Sequence, residues 1–419
     1  MSAAAGRERT IVVGGGIVGI ACAHYLAKAG AAVTVIDRGP IGGGCSQANC
    51  GYICPSHVLP LTEPGAVRTA LKSLFRPGSA FRVKPRLSPA LWTWLWQFAR
   101  RCNHRQMIEA GRHLQAILDS SMCEYRRLMV DEALECEWRE NGLLYVLQSE
   151  HGMREFAEND RLLGDEFGVK ARRIEGNDLP AFDPALADGL AGAFHYEGDA
   201  SVRPDLLNTR WAERLKTRGV EFVERCELRH VDKSAGRVRR LVTSTGEIPV
   251  ERVVFALGAW SPQFEKQLGC RIPIEPGKGY SVTTAETAAN PKYPMLFPEH
   301  RVGVSPFEKG CRLGSIMEFA GYDTSIPPSR IEQLHAAARH YLKTPISPGG
   351  VSWYGWRPMT WDSLPIIGRV PHLSNAYLAT GHNMLGMSLA TATGRLVAEL
   401  VEGVPTHIDA GPYSPERFS

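Results

Sequence analysis

Thr10-Ile11-Val12-Val13-Gly14-Gly15-Gly16-Ile17-Val18-Gly19 opens the stretch that decides the fold, and Val33-Thr34-Val35-Ile36-Asp37 closes it. A β-branched apolar run enters G-x-G-x-x-G, a helical segment follows to Gly30, and a second apolar run ends in an acid. That order is the βαβ dinucleotide-binding fingerprint. Gly14 permits the tight turn, Gly16 lets the backbone approach a pyrophosphate, and Gly19 lets the helix lie against the strand. Ile17 and Val18 place free N–H groups at the helix start, where phosphates are stabilised. Asp37 stands where an acid accepts from ribose hydroxyls. A leader peptide or membrane span is the competing reading of Ile11–Ala27. The glycines, His24, Tyr25, Lys28 and the strand that follows argue against it.

The chain has 419 residues, enough for two domains, and a net charge of +4. The small excess of base, scattered and without aromatic interleaving, does not describe a nucleic-acid binder. Ten cysteines stand mostly singly and form no C-x-x-C. Free thiols in a reducing cytosol follow, and the protein is expected to be cytoplasmic. Cys45, Cys50 and Cys54 cluster, but their spacing fits no common zinc or iron–sulfur pattern, so no metal is expected.

Outward from the fingerprint, Gly39–Cys54 is a polar, glycine-rich loop. Pro64, Pro77, Pro85 and Pro89 punctuate the next part, and a helical region runs from about Leu91 to Ala133. Gly142–Leu147 reads as a strand, Glu150–Phe167 and Pro204–Arg218 as helices, and Val238–Thr243 with Glu247–Val250 as a hairpin. Arg252–Leu257 is a buried strand leading to Gly258 and Trp260. Strand-like runs at Gly279–Thr284, Arg301–Ser305 and Arg312–Glu318 precede a helix at Ser329–Leu342. At the end, Ala376–Thr380 reads as a strand, Gly381-His382-Asn383 as a turn, and Met387–Glu402 as a helix.

Arg357 sits in the aromatic stretch Trp353-Tyr354-Gly355-Trp356, which does not suit a free surface charge. A cation–π partner fits it. Leu91-Trp92-Thr93-Trp94-Leu95-Trp96-Gln97-Phe98, followed by Arg100 and Arg101, reads as a core helix or as one lying on a membrane surface.

Six segments together resemble the D-amino-acid oxidase superfamily of flavoenzymes, and within it the bacterial D-amino-acid dehydrogenases (small subunit). They are Ile11–Arg38, Ser46–Gly51, Gly277–Ser281, Gly355–Thr360, Leu364–Gly368 and Gly381–Gly386. The resemblance covers nearly the whole chain. It implies an α/β protein with a Rossmann-like FAD-binding domain (1–60, 190–271 and 352–419). The remainder is an α+β substrate domain on a mixed or antiparallel sheet (61–189 and 272–351).

It also implies FAD rather than NAD. Asp37 and Arg38 would hold the ADP half with the backbone of Leu228. Gly258 and Trp260 would close over the cofactor, and Ser46, Asn49 and Gly51 would line the flavin. Gly381, His382, Asn383, Leu385, Gly386 and Met387 would bring a helix N-terminus to the pyrimidine edge. FAD would be non-covalent, for two reasons. No cysteine follows Cys311, and Ala48 and Asn49 stand where one group of relatives has a linking histidine.

By the same resemblance Arg357 would pair with the substrate carboxylate, and Tyr280 is a second candidate contact, equally readable as a core tyrosine. His57 and His382 are weaker pocket candidates, since a lone histidine is more often structural. The implied reaction moves hydride from Cα of a D-amino acid to flavin N5 and ends in a 2-oxo acid and ammonia. Electrons would pass to a respiratory quinone, with peripheral contact at the inner face of the cytoplasmic membrane. A secondary amino acid (D-hydroxyproline, D-proline, sarcosine) or glycine is the alternative substrate. An NAD-linked dehydrogenase and a non-catalytic flavin subunit of a hetero-complex are the competing classes.

Overall fold

In this computed structural model, residues 8–68, 81–84, 86–285, 290–344, 346 and 349–419 are described. Pro77 and Pro85 lie outside them. The fingerprint forms as its sequence dictates: strand Arg9–Val13, helix Ile17–Lys28, strand Ala32–Ile36. It lies within a six-stranded sheet ordered Ile366–Arg369, Ala376–Thr380, Arg252–Phe255, Arg9–Val13, Ala32–Ile36, Glu221–Val223. Every pairing is parallel except the first. The strands are almost wholly apolar because helices or loops cover both faces, as parallel sheets require.

The C-terminal helix, Gly386–Glu402, packs directly on Ile17–Lys28. A Cβ built on Gly394 would lie 2.5 Å from the Ala21 carbonyl oxygen, so the two backbones meet with no side chain between them. Against the same helix lies the long helix His104–Glu132. Tyr125 donates to the Met387 carbonyl (2.6 Å) and Ser121 bonds Thr391 (2.7 Å).

The second large layer is a nine-stranded mixed sheet. Its order is Val351–Thr360, Ile274–Thr284, Gly310–Phe319, Val302–Phe307, Met295–Phe297, Leu143–Leu147, Gly192–Tyr196, Arg172–Glu175, with Phe81–Val83 beside Gly310–Phe319. Two pairings are parallel, Met295–Phe297 with Leu143–Leu147 and Phe81–Val83 with Gly310–Phe319. Helix Pro328–Ala338 covers one face of its centre. Gly192–Tyr196 and most of Val351–Thr360 fall within the range expected for the dinucleotide-binding part, yet both hydrogen-bond into this sheet.

Three local differences have physical causes. The helical region expected from Leu91 to Ala133 is two helices, Pro89–Arg101 and His104–Glu132. Asn103 restarts the chain by accepting from Gln106 N (3.1 Å), which favours an N-cap over continuation. The hairpin expected around Gly246 gains a third strand, Leu228–Ser234. Only Leu228 and Val231 of that strand are buried, so it carries little apolar signal. The helix expected to Leu342 ends at Ala338.

Replacing Gly394 by Ala should destabilise the fold by about 1–3 kcal/mol, because the new methyl meets backbone that cannot rotate away. Urea denaturation checks this: the midpoint should fall with an unchanged m-value.

Candidate active site

Five strands of the six-stranded sheet end at one edge, and the segments that follow them gather there: Gly14–Val18, Asp37–Gly39, Glu224–Leu228, Ala256–Trp260 and Gly381–Met387. That edge, outside the carboxyl ends of parallel strands, is where such sheets bind ligands. Gly14 has φ +112°, and its N–H donates to Ile36 O (2.8 Å). A Cβ on Gly19 would overlap the Gly14 carbonyl, so the turn and helix fit only with glycine at both positions. The helix start has no cap from Gly16; instead Ser46 Oγ accepts from Ile17 N (3.1 Å).

Asp37 accepts from Gly15 N and Gly39 N, each at 2.7 Å, so it braces the turn as well as facing the edge. Burial pushes its carboxyl above the usual range, against those two bonds. Its backbone carries Leu228 into place, since Cys226 N donates to Asp37 O (2.8 Å). The Arg38 guanidinium stacks 4.0 Å over the Trp260 ring, just after Gly258 (φ +53°).

The loop expected to line the flavin is tied to the large sheet. Three successive carbonyls, of Ala48, Asn49 and Cys50, accept from Ser281 Oγ (2.7 Å), Arg312 Nη1 (2.8 Å) and Ser305 Oγ (2.6 Å). Asn49 Oδ1 accepts from Gly51 N (2.7 Å), and Gly51 (φ +72°) lies so close to Val202 O that a Cβ there would stand 2.0 Å from it. Ser305 and Arg312 were not anticipated from sequence; a buried arginine in an apolar strand pattern was the available signal.

The sheet face under this loop is paved with glycine. Gly303 and Gly314 face Cys50 Sγ, and a Cβ at either would crowd it. Gly279 lies under Arg357, whose guanidinium a Cβ would meet at 2.3 Å. Arg357 is half-buried and Nη1 donates to Ile316 O (2.8 Å). Among the described residues no carboxylate pairs with it. Burial lowers its pKa from the ordinary arginine value, opposed by the Cys45 and Cys50 thiols, and it stays a cation.

Tyr280 does not join Arg357. Arg357 is opposite Gly277 and Tyr280 is opposite Tyr354, so alternation puts the two side chains on opposite faces. Tyr280 donates to Glu318 Oε2 (2.9 Å) in the core beneath helix Pro328–Ala338, which corrects the expectation of a substrate contact. His382 is buried as well, its Nε2 bonded to Thr393 Oγ1 (2.9 Å). Burial lowers its pKa to about 3, so it is a neutral brace for the helix start rather than a pocket group. Asn383 (φ +52°) accepts at Oδ1 from Thr360 N (2.8 Å), and its own N–H donates to Pro358 O (3.1 Å). It thereby fastens the Arg357 strand to the C-terminal turn. Leu385, Gly386 and Met387 then start a helix with no side-chain cap.

His57 is half-buried, with Nε2 2.6 Å from Tyr145 OH. Burial lowers its pKa to about 4 and keeps it neutral. Tyr145 shares the glycine-paved face, being paired with Leu296, which in turn is paired with Gly303. Close by is a carboxylate the sequence did not single out. Asp199, 1% exposed, accepts from Ser56 N (3.0 Å) and Ser56 Oγ (2.6 Å) with no cation in ion-pair range among the described residues. Burial raises its pKa to about 7. No described cluster of His, Cys, Asp or Glu is arranged to hold a metal ion.

Two helix N-termini without their own caps, an acid and an arginine at a sheet edge, and a glycine-paved face opposite describe a dinucleotide-dependent oxidoreductase. Residues 9–400 match the FAD dependent oxidoreductase family, and the chain belongs to it. FAD is therefore its cofactor. The chain is 33% identical to the D-amino acid dehydrogenase of Methylobacterium nodulans, over 98% of this chain and 99% of that one. It is 30% identical to the enzyme of that name from Neisseria meningitidis serogroup C, with the same coverage. Among solved structures it is similar to glycine oxidase from Bacillus cereus (TM-score 0.74, 19% identity, 96% and 97% covered). It is equally similar to L-proline dehydrogenase from P. horikoshii (TM-score 0.74, 22% identity, 98% of each chain).

Asp199 gives the fold a pH signature. Its folded pKa, about 7, exceeds the unfolded value of 3.8, so the native state binds the extra proton between them. Its contribution to stability is present below pH 4 and is lost as pH rises to 7, by up to about 4 kcal/mol. Asp199→Asn should remove that slope and be the more stable protein at pH 8, as read by urea midpoints at several pH values.

Proposed function

We propose that this chain oxidises D-amino acids at Cα, giving an imino acid that hydrolyses to a 2-oxo acid and ammonia. The observation that carries this is Arg357, a half-buried guanidinium with no carboxylate partner among the described residues, held over a glycine-paved face. Such a fork binds a carboxylate bidentately and fixes the direction of Cα–H. Relatives named D-amino acid dehydrogenase, similar over 98% of the chain, support this substrate class.

Bound FAD supplies the acceptor for the two electrons. The chain holds it with Gly14, Gly16, Ile17, Val18 and Gly19 at the pyrophosphate, Asp37, Arg38 and Leu228 at the adenosine, and Gly258 and Trp260 alongside. Ser46, Asn49, Gly51, Gly381, Asn383, Leu385, Gly386 and Met387 would lie around the ring. His382 supports that last segment from behind. The uncapped helix start at Gly386 would favour negative charge on a flavin held beside it. The substrate amine enters neutral, and no acid or base side chain is needed at Cα. In this reading the six-stranded sheet and the helices on it form the cofactor part, and the nine-stranded sheet forms the substrate part.

Electrons leave to a quinone at a membrane surface. In helix Pro89–Arg101, Trp94 is 5% exposed and donates to Met359 O (2.9 Å), so it belongs to the core. Trp92 and Trp96 are each 56% exposed, and Arg100 stacks 4.6 Å over Trp96. That outer face suits peripheral contact with lipid headgroups. No helix among the described residues is long and apolar enough to cross a membrane.

Anaerobic addition of a substrate panel to the yellow protein tests the reaction. A D-amino acid should bleach the flavin band; bleaching only by D-proline, D-hydroxyproline, sarcosine or glycine would replace the substrate class. Arg357→Leu should lower kcat/KM about 100-fold with FAD content unchanged, the loss expected of a charged hydrogen-bonded pair. For the membrane contact, Trp92→Ala with Trp96→Ala should abolish flotation with anionic vesicles and leave FAD content intact. Equal flotation would remove that contact.

A further inference from the structure

We infer that a backbone kink at Ile316 is a positioning device for Arg357: it turns one carbonyl out of the sheet to hold Nη1, so that the rest of the fork faces the substrate. The inference rests on the reading of Arg357 as carboxylate anchor.

In a regular antiparallel ladder each carbonyl lies in the sheet plane and bonds to the next strand. None is then offered to a side chain lying over the face. Between Ile274–Thr284 and Gly310–Phe319 the ladder is irregular at one place. Tyr280 pairs with Ser315 and Lys278 with Glu318, so Ile316 and Met317 together face Gly279. One extra residue on one strand is a β-bulge, and bulges re-aim groups beside active sites.

Ile316 has φ +61°, an outlier for a β-branched residue. Its side chain is buried in the same apolar cluster as Leu313, Leu334 and Tyr341, which holds the strained backbone in place. The kink falls where the outer neighbour changes, since Val302 pairs with Ser315 and Phe81 with Met317. The freed carbonyl accepts from Arg357 Nη1 at 2.8 Å. From the other side the bare strand at Gly279 approaches the guanidinium, and a Cβ there would stand 2.6 Å from Cζ. Among the described residues, Nε and Nη2 of Arg357 make no hydrogen bond and remain for a carboxylate.

Deleting Ile316 removes the extra residue: in register, Ser315 stays opposite Tyr280, Glu318 stays opposite Lys278, and Met317 comes opposite Gly279 on the face of Arg357. The FAD-loaded deletion protein should show KM for its D-amino acid raised about tenfold, the scale of one hydrogen bond to a charged group. The Kd for benzoate, a plain carboxylate measured by titration calorimetry, should rise by the same factor, and kcat at saturation should change less. Ile316→Gly keeps the extra residue and admits a positive φ without strain, and should leave both constants near those of wild type. A deletion protein with unchanged KM and benzoate Kd would overturn the inference.

If the deletion protein holds no FAD, Gly279→Ala presses the guanidinium off its carbonyl from the opposite strand. It should raise both constants alike, and unchanged values would overturn the inference. Arg357→Leu separates the two ideas. If it binds benzoate as wild type does, the anchor reading falls and this inference with it. If it loses benzoate while the deletion and Gly279→Ala do not, only the positioning role falls.

Discussion

The structure depends on the seam between its two sheets, made by the peptide groups of residues 48–50. Each carbonyl of Ala48, Asn49 and Cys50 takes a donor from a different strand of the nine-stranded sheet, while Ser46 meets the start of helix Ile17–Lys28. Buried carbonyls must be satisfied, and here their partners define how far apart the two layers stand. Glycines at 303 and 314 make that closeness possible, because any side chain there would push the loop away. The candidate site is the space the seam leaves, with the glycine-rich turn before helix Ile17–Lys28 on one side and Arg357 on the other.

Arg357 shows how the fold keeps a charge available. A half-buried guanidinium is costly unless it is bonded, and a carboxylate would be the cheapest partner. The sheet gives it a neutral carbonyl instead, which restrains the side chain without cancelling its charge. Two carboxylates of the same sheet are already spoken for: Glu318 takes Tyr280 on the other face and lies 3.7 Å from Arg330, and Glu275 pairs with Arg86. The same alternation that exposes Arg357 to the site removes Tyr280 from it.

What could be read in advance follows from how local the cause is. Gly14 to Asp37 is one contiguous unit in which each residue type has its own steric or polar reason, and it folded as read. The stretch Leu91–Phe98 stayed open between core and surface, and the fold divides it: Leu91, Trp94 and Phe98 recur at helical spacing and turn inward, while Trp92 and Trp96 do not. The face Tyr280 points to was not, because it depends on pairing with Val351–Thr360, distant in sequence. The kink at Ile316 gave no sign either, since left-handed backbone is usually marked by glycine or asparagine and here is enforced by tertiary packing. Asp199 sits in an ordinary Gly-Asp-Ala turn, and its isolation comes wholly from what closes around it.

The order of strands has a consequence for how the protein is made. Arg9–Val13, at the centre of its sheet, waits for Arg252–Phe255 on one side, and that strand waits for Ala376–Thr380 near the far terminus. On a ribosome adding about 5–20 residues per second, the first apolar strand stays unpartnered on that side for on the order of tens of seconds. Nascent chains of this architecture thus pass through a period of exposed β-branched surface, when chaperone supply and translation speed bear on yield.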